Sequence, residues 1–493
     1  MRESGIFTTN AHEPTRIMAR MISVAGIQGK CLCGSWLILL IFMFAGALFA
    51  QSASSTKTLE EQRLDILRFG TETEIAALIQ AVKNEKVTYL DKELIDVAQK
   101  TRNRNILAGI FSFFGEMEKT GLEERAMRAI RERDEEANET IFSAIDYLGR
   151  VKAEAATEVL EEIINAGENR FLNNAIRAMG RAAGGRDSQR ADDTALFLLD
   201  YYEHRNPSDD NRREIIVAMG ETGSSELVSF LSDLATNSDQ RAVLRMAALD
   251  ALSKIGDEKG LDAIIDAVSS TDPNVRSTAI SALGPFSGEA AEAAILEGFR
   301  DSYFRTRIGA AQAAGKRRLE SAIPFLRFRA ERDDVPAVRD EAVKALGAIN
   351  TSESMSILDT FFMERKNSDR LRLVSAEMLI QNNADTYSSK VIVEMDEARQ
   401  KRMTPLYNGF VRILATARSK TFEDLARRLI TGSGADVIER SLGLDLVVNN
   451  EFHSLENEVR SLLDERRNPA TISRKARSTL ERLGLDTGEG GEE

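Results

Sequence analysis

Between Asp272 and Gly284 the apolar residues Val275, Ala279, Ala282 and Leu283 recur at the three- and four-residue spacing of one helix face. Asp272 stands where an N-cap carboxylate accepts backbone N–H groups, and Pro273 takes the first helical position, where its missing N–H costs nothing. Gly284 falls where a left-handed residue would end the helix. A second apolar stretch runs from Ala290 to Phe299, so the pattern predicts helix, turn, helix.

That frame recurs. Copies end at Gly220, Leu252, Gly315 and Gly347, a looser one at Leu379, and fainter ones at Gly70, Gly115, Gly149, Gly180, Ala415, Val448 and Gly484. From Gly70 to Gly484 the mean spacing is about 34 residues, the length of a two-helix repeat that buries its apolar face only against its neighbours. The stretch before Gly115 is overlong, which predicts lengthened helices or an inserted turn. The stretch before Gly220 holds two loops, 184–188 and 206–210, around a short apolar helix, Ala195 to Tyr202, an arrangement that suits a hinge. Ile110, Phe111, Phe113 and Phe114 predict an aromatic core, and residues 116–139, dense in both charge signs, a solvated face. Late in the chain Asn382, Asn383, Asn449 and Asn450 take over as turn residues.

The Asp-Pro-x-Val-Arg-x-x-Ala-x-x-Ala-Leu-Gly run at 272–284 and its relative Val338 to Gly347 resemble HEAT repeats, specifically the short bacterial type related to the phycobilin-lyase HEAT-like repeats. The resemblance spans residues 59–484; the Trp-x-x-Leu-Gly-x-x-Tyr signature of tetratricopeptide repeats is absent. It implies an all-α fold, a right-handed superhelical α-solenoid of about thirteen hairpins. In such repeats the arginine of the frame pairs with acids or carbonyls of the next unit. Arg212, Arg245, Arg276, Arg307, Arg339 and Arg372 are therefore read as a structural ladder that sets the stacking angle.

The first 50 residues differ in kind. Arg2, Arg16, Arg20 and Lys30 precede an uncharged apolar run, Trp36 to Ala50, which is short for a membrane span and fits the core of a secretory signal. The expectation is a leader, 1–50, a polar linker, 51–58, the repeat region, and a disordered acidic tail, 485–493. The chain is then exported, most plausibly to a periplasm. Both cysteines, Cys31 and Cys33, lie in the leader, so the mature chain has no disulfide. The whole chain carries −13; the leader holds four basic and two acidic residues, leaving −15. That balance opposes general binding to nucleic acid or anionic lipid.

Catalytic chemistry is sparse. The histidines are His12, His204 and His453, too few and too scattered for a zinc or iron site, and no phosphate loop, dinucleotide fingerprint or nucleophile elbow appears. No cofactor is implied. The reading is a non-catalytic scaffold or adaptor of the cell envelope binding a protein or peptide on its concave face, with no nucleic acid, a membrane contact only if the leader is uncleaved, and an undetermined oligomeric state. The alternatives are an envelope-structural protein tethered by the leader and a HEAT-like lyase-type enzyme. One segment departs from the acidic background: Lys316, Arg317, Arg318, Arg327, Phe325, Phe328, Arg329 and Arg332 predict an aromatic–basic partner site on the inner face, centred on a helix over 320–332.

Overall fold

The computed structural model describes residues 58–184 and 188–486. The leader with Cys31, Cys33 and Trp36, the linker up to residue 57 and the tail from residue 487 lie outside them. The chain divides into Met1–Gln62, of which only the last five residues are described, and Arg63–Glu493, which holds everything below. Among the described residues there are 25 α-helices and no strand.

The helices alternate between two rows. One row carries the frame: Glu72–Glu85, Arg104–Glu116, Asn138–Arg150, Leu172–Ala183, Asp209–Thr222, Ala242–Ile255, Pro273–Ala282, Phe304–Arg317, Pro336–Ile349, the start of Asp369–Gln400, Thr404–Ala415, Val437–Asn450 and Ala470–Arg482. Between them lies the second row, among it Glu123–Arg131, Ser188–His204, Val228–Thr236, Glu289–Gly298, Ile323–Arg332 and Ser352–Met363. Each frame-row helix touches the frame-row helices before and after it, and second-row helices pack against them, so this is an α-solenoid of stacked hairpins. Asp272 caps its helix as its position predicts: the carboxylate accepts from the N–H of Asn274 at 2.8 Å and of Val275 at 3.4 Å, with Pro273 at the first position.

The frame glycine does something other than end the helix. Helices continue past Gly180, Gly220, Gly315 and Gly347 to residues 183, 222, 317 and 349. The left-handed residue comes later, as Gly223 (φ 74°), Arg318 (φ 51°) or Asn350 (φ 54°). What the glycine allows is contact: a Cβ on Gly149 would sit 2.7 Å from the Cα of Ala178, one on Gly180 2.8 Å from that of Ala218, and one on Gly220 2.7 Å from that of Ala251. Successive frame helices thus meet backbone to backbone, and this is the tight row. The second row joins through larger groups, as where Phe299 stacks on Phe325 with ring centroids 5.7 Å apart. The frame row is thus the closely packed side of the stack and the second, outer row the more widely spaced side.

Several local expectations change. Gly70 ends a helix, Leu59–Phe69, that precedes the first tight-row helix rather than belonging to that row, so the overlong interval before Gly115 contains an ordinary extra hairpin step. The charged stretch 116–139 contains the helix Glu123–Arg131, whose Ala126, Met127, Ala129 and Ile130 are buried, so only part of it is a solvated face. The short helix expected at 195–202 is Ser188–His204, and the tight row runs past it unbroken from Gly180 to Ala218. Phe111, Phe113 and Phe114 are buried, with Phe111 stacked on Tyr147 at 5.8 Å. Asn383 (φ −156°, ψ 80°) breaks Asp369–Gln400 into two arms. Where the glycine is lost, asparagine bridges the step by hydrogen bonding: Asn382 Nδ2 donates to Gly347 O at 3.1 Å and Asn449 Nδ2 to Ala415 O at 2.6 Å.

Candidate partner-binding surfaces

The arginine column lies at the start of the tight-row helices. Arg245 Nε donates to Ala235 O at 2.9 Å, Arg276 Nη1 to Ser270 O at 2.9 Å, Arg307 Nη1 to Asp301 O and Ser302 O at 3.1 Å, Arg339 Nη1 to Asp333 O at 3.0 Å, and Arg372 Nε to Phe362 O at 2.9 Å. Arg212 instead reaches Asn206 Oδ1 at 3.1 Å and lies over the Tyr202 ring. These carbonyls end the partner helix of the same hairpin, where orphan acceptors need donors. Three of the arginines also reach a carboxylate of the next hairpin: Arg276 to Asp301 (2.9 Å), Arg307 to Asp333 (2.8 Å) and Arg372 to Glu394 (2.6 Å). The protein's own groups occupy the column, which leaves no row of open guanidinium groups for an extended anion.

Asp333 is the tightest of these junctions. Its side chain is fully buried, with Arg307 and Arg329 both on it, and it accepts the Val335 N–H at 3.0 Å. Burial pushes its carboxyl up, but Arg307 and the Val335 N–H outweigh that and hold it below the usual carboxylate range. Asp301 is held low in the same way, by Arg276 and the Tyr303 N–H against its burial.

The eight residues read as one inner-face site do not converge there. Ile323–Arg332 belongs to the second row, so Phe325, Arg327, Phe328, Arg329 and Arg332 lie across the stack from Lys316, Arg317 and Arg318, which end a frame-row helix. Its beginning, Glu320–Ala322, is a separate 3₁₀ turn. Lys316, Arg317 and Arg318 sit at the C-terminal end of the tight-row helix Phe304–Arg317, a position that complements the helix dipole, and Arg318 is the left-handed cap itself. Within the outer helix the side chains part company. Phe325 packs on Phe299 under Arg300, Arg329 is tied to Asp333 (3.2 Å) and Arg327 to Glu331 (3.1 Å). Phe328 stays 52% exposed, flanked by Arg329 5.4 Å from its ring centroid, and Arg332 is exposed. Removing the two rings should therefore give opposite outcomes in urea unfolding. Phe325→Ala is expected to cost about 2–3 kcal/mol, below the value for a fully buried ring, and Phe328→Ala less than about 0.5 kcal/mol.

The solvent side of the tight row carries ion pairs from one helix to the next. Lys83 meets Glu116 (2.7 Å), Arg181 meets Asp146 (3.0 Å), Arg177 meets Glu214 (3.1 Å) and Lys254 meets Glu221. Then no ion pair links the next helices: they present Ser277, Ser281, Ile308 and Gln312, with Lys316 at the end of the second, and pairing resumes between Asp340 and Arg370. Where it stops, a cleft of about 390 Å³ opens between Asp209–Thr222, Ala242–Ile255 and Pro273–Ala282, lined by Val217, Ala247, Asp250, Ala251, Lys254 and Ser281 among others. Asp250 makes no hydrogen bond or ion pair among the described residues. Solvent reaches it, yet the surrounding walls strip much of its water and push its carboxyl up, against the pull of Lys254 and Arg213. Sequence reading passed over Asp250 because its setting comes from residues some thirty positions away on either side. The one available signal was an unmatched acid at a frame position where the preceding helices hold members of ion pairs.

Among the described residues no group of histidine, cysteine and carboxylate side chains is arranged to hold a metal ion, and no helix is long and apolar enough to cross a membrane. What the fold and these faces define is a HEAT-type α-solenoid, a protein whose surfaces are built from repeated helices. The chain belongs to the spirochaete HEAT repeat protein family, whose model matches residues 67–479. None of the curated proteins matches it. Among solved structures it is similar to the karyopherin Kap121p, at 10% identity and a TM-score of 0.41 over 95% of this chain and 56% of that one. Kap121p bound to Pho4p gives 11% identity and 0.41, over 95% and 57%. The chain thus spans little more than half the length of those chains. Human deoxyhypusine hydroxylase in complex with glycerol is similar at 17% identity and a TM-score of 0.25, over 62% of this chain and all of that one.

Proposed function

We propose that this chain is a non-catalytic scaffold that binds a protein or peptide partner along its tight row. The observation that carries the reading is the interruption of the inter-helix ion pairs at residues 250–312, where the frame row presents Ser277, Ser281, Ile308 and Gln312 beside a solvent-facing cleft that holds Asp250 and Lys254. A surface carried on the tight row loses little freedom on binding, which favours affinity without chemistry. The charged leader and the apolar run Trp36 to Ala50 support an exported, periplasmic setting.

Site-specific photocrosslinking in the native cell tests the reading. A benzoylphenylalanine at Gln312 on the tight row should give a discrete protein adduct, and one at Arg327 on the outer row should give little. Adducts from Arg327 alone would move the partner to the outer row, and adducts from neither position would sink the scaffold reading.

A further inference from the structure

The cleft at Asp250 has a lining that suits one kind of side chain. Val217, Ala247, Ala251 and Ala282 give it apolar walls, and a single carboxylate stands among them. Val243, Met246, Ala247 and Asp250 lie on one stripe of Ala242–Ile255 at three- and four-residue spacing, with Val243 exposed and Asp250 towards the far end. The charges near the carboxylate are already engaged: Lys254 with Glu221, Arg213 with Glu214, and Arg177 with Glu214. Asp250 is left over. Its carboxylate faces solvent, with Lys254 in the same cleft and Arg213 near enough to attract it but not bonded to it, so a partner's cation can take the contact that neither makes. The group that satisfies apolar walls and a terminal carboxylate together is a long aliphatic stem ending in a cation.

We infer that this cleft receives a lysine or arginine side chain from an extended segment of a partner protein, with Asp250 as its counter-ion. This rests on the scaffold reading above and adds the chemistry of the partner. The net charge of −13 favours the same sign of ligand, since a basic segment approaches an acidic protein down the field of the whole surface. The basic residues between Lys316 and Arg332 are helix-end charges, internal pairs or outer-row groups, and they do not line this cleft.

Selection from a random dodecapeptide library tests it. The intact protein should enrich peptides carrying lysine or arginine. Those peptides should bind Asp250→Asn at least about tenfold more weakly, the scale of one charge-assisted contact. Asp250→Lys should select acidic peptides instead. The melting temperature of Asp250→Asn should hold or rise, because the carboxylate has no partner to lose. Peptides that lack a cation, or that bind Asp250→Asn unchanged, would overturn the assignment of Asp250 and leave the scaffold intact. A selection that enriches no peptide would overturn both. A lowered melting temperature with weaker binding would mark Asp250 as a structural group and likewise overturn the assignment.

Discussion

Asp333→Ala should destabilise the protein by about 3–5 kcal/mol, the penalty for breaking a buried pair and stranding its partner. The buried guanidinium is that of Arg307, 2.8 Å away, which would keep only Asp334 and two carbonyls, and the Val335 N–H would lose its acceptor. Urea unfolding followed by circular dichroism reads the loss. The same carboxylate makes a pH signature. Asp333 and Asp301 are held below the ordinary range in the fold, so their contribution is present above the unfolded value of about 3.9 and is lost as pH falls through the depressed folded value. Wild type should therefore lose more stability than Asp333→Ala between about pH 5 and pH 2. Equal acid sensitivity of the two proteins would show that the carboxylate is not ionised and paired in the fold.

Gly180→Val should cost about 3 kcal/mol or more, at or beyond the upper end of overpacking penalties. A Cβ there would meet Ala218 O at 2.5 Å and Ala218 Cα at 2.8 Å, and backbone cannot swing aside as a flexible side chain can. Because each hairpin is held only by its neighbours, the damage should be local in place and visible in form. Single-step unfolding should separate into two steps, with the hairpins before residue 184 melting apart from those after it. Gly167→Ala offers the control: nothing lies within 4 Å of its would-be Cβ, and φ of 64° is its only strain. A single unshifted transition for Gly180→Val would mean that the tight row is not held by contact.

Much of this was legible from periodicity, and the failures have physical causes. The spacing of Val275, Ala279 and Leu283 fixes which side of a helix is buried, and Asp272 with Pro273 fixes where it starts. A helix period says nothing about which of two rows a helix joins, so the pattern over 320–332 did not reveal that Ile323–Arg332 lies across the stack from Lys316, Arg317 and Arg318. The frame glycine looked like a terminator because glycine commonly is one. Its real constraint, the nearness of Ala178 or Ala218, comes from a helix about thirty residues on. Phe325 and Phe328 were read into one site, but they stand about 60° apart around the helix, enough to set one against Phe299 and the other in solvent. Asp250 was invisible for the same reason as the glycine contact: its surroundings, Val217 and Ala282, are far off in sequence.

The frame arginines and frame glycines all reach forward along the chain. Arg276 waits for Asp301, Arg307 for Asp333 and Arg372 for Glu394, just as Gly149 waits for Ala178 and Gly180 for Ala218. In each case the later segment completes the earlier one. A hairpin without its successor therefore carries an unanswered guanidinium and a bare glycine groove, so cutting repeats from the carboxyl end should uncover both on the new last hairpin.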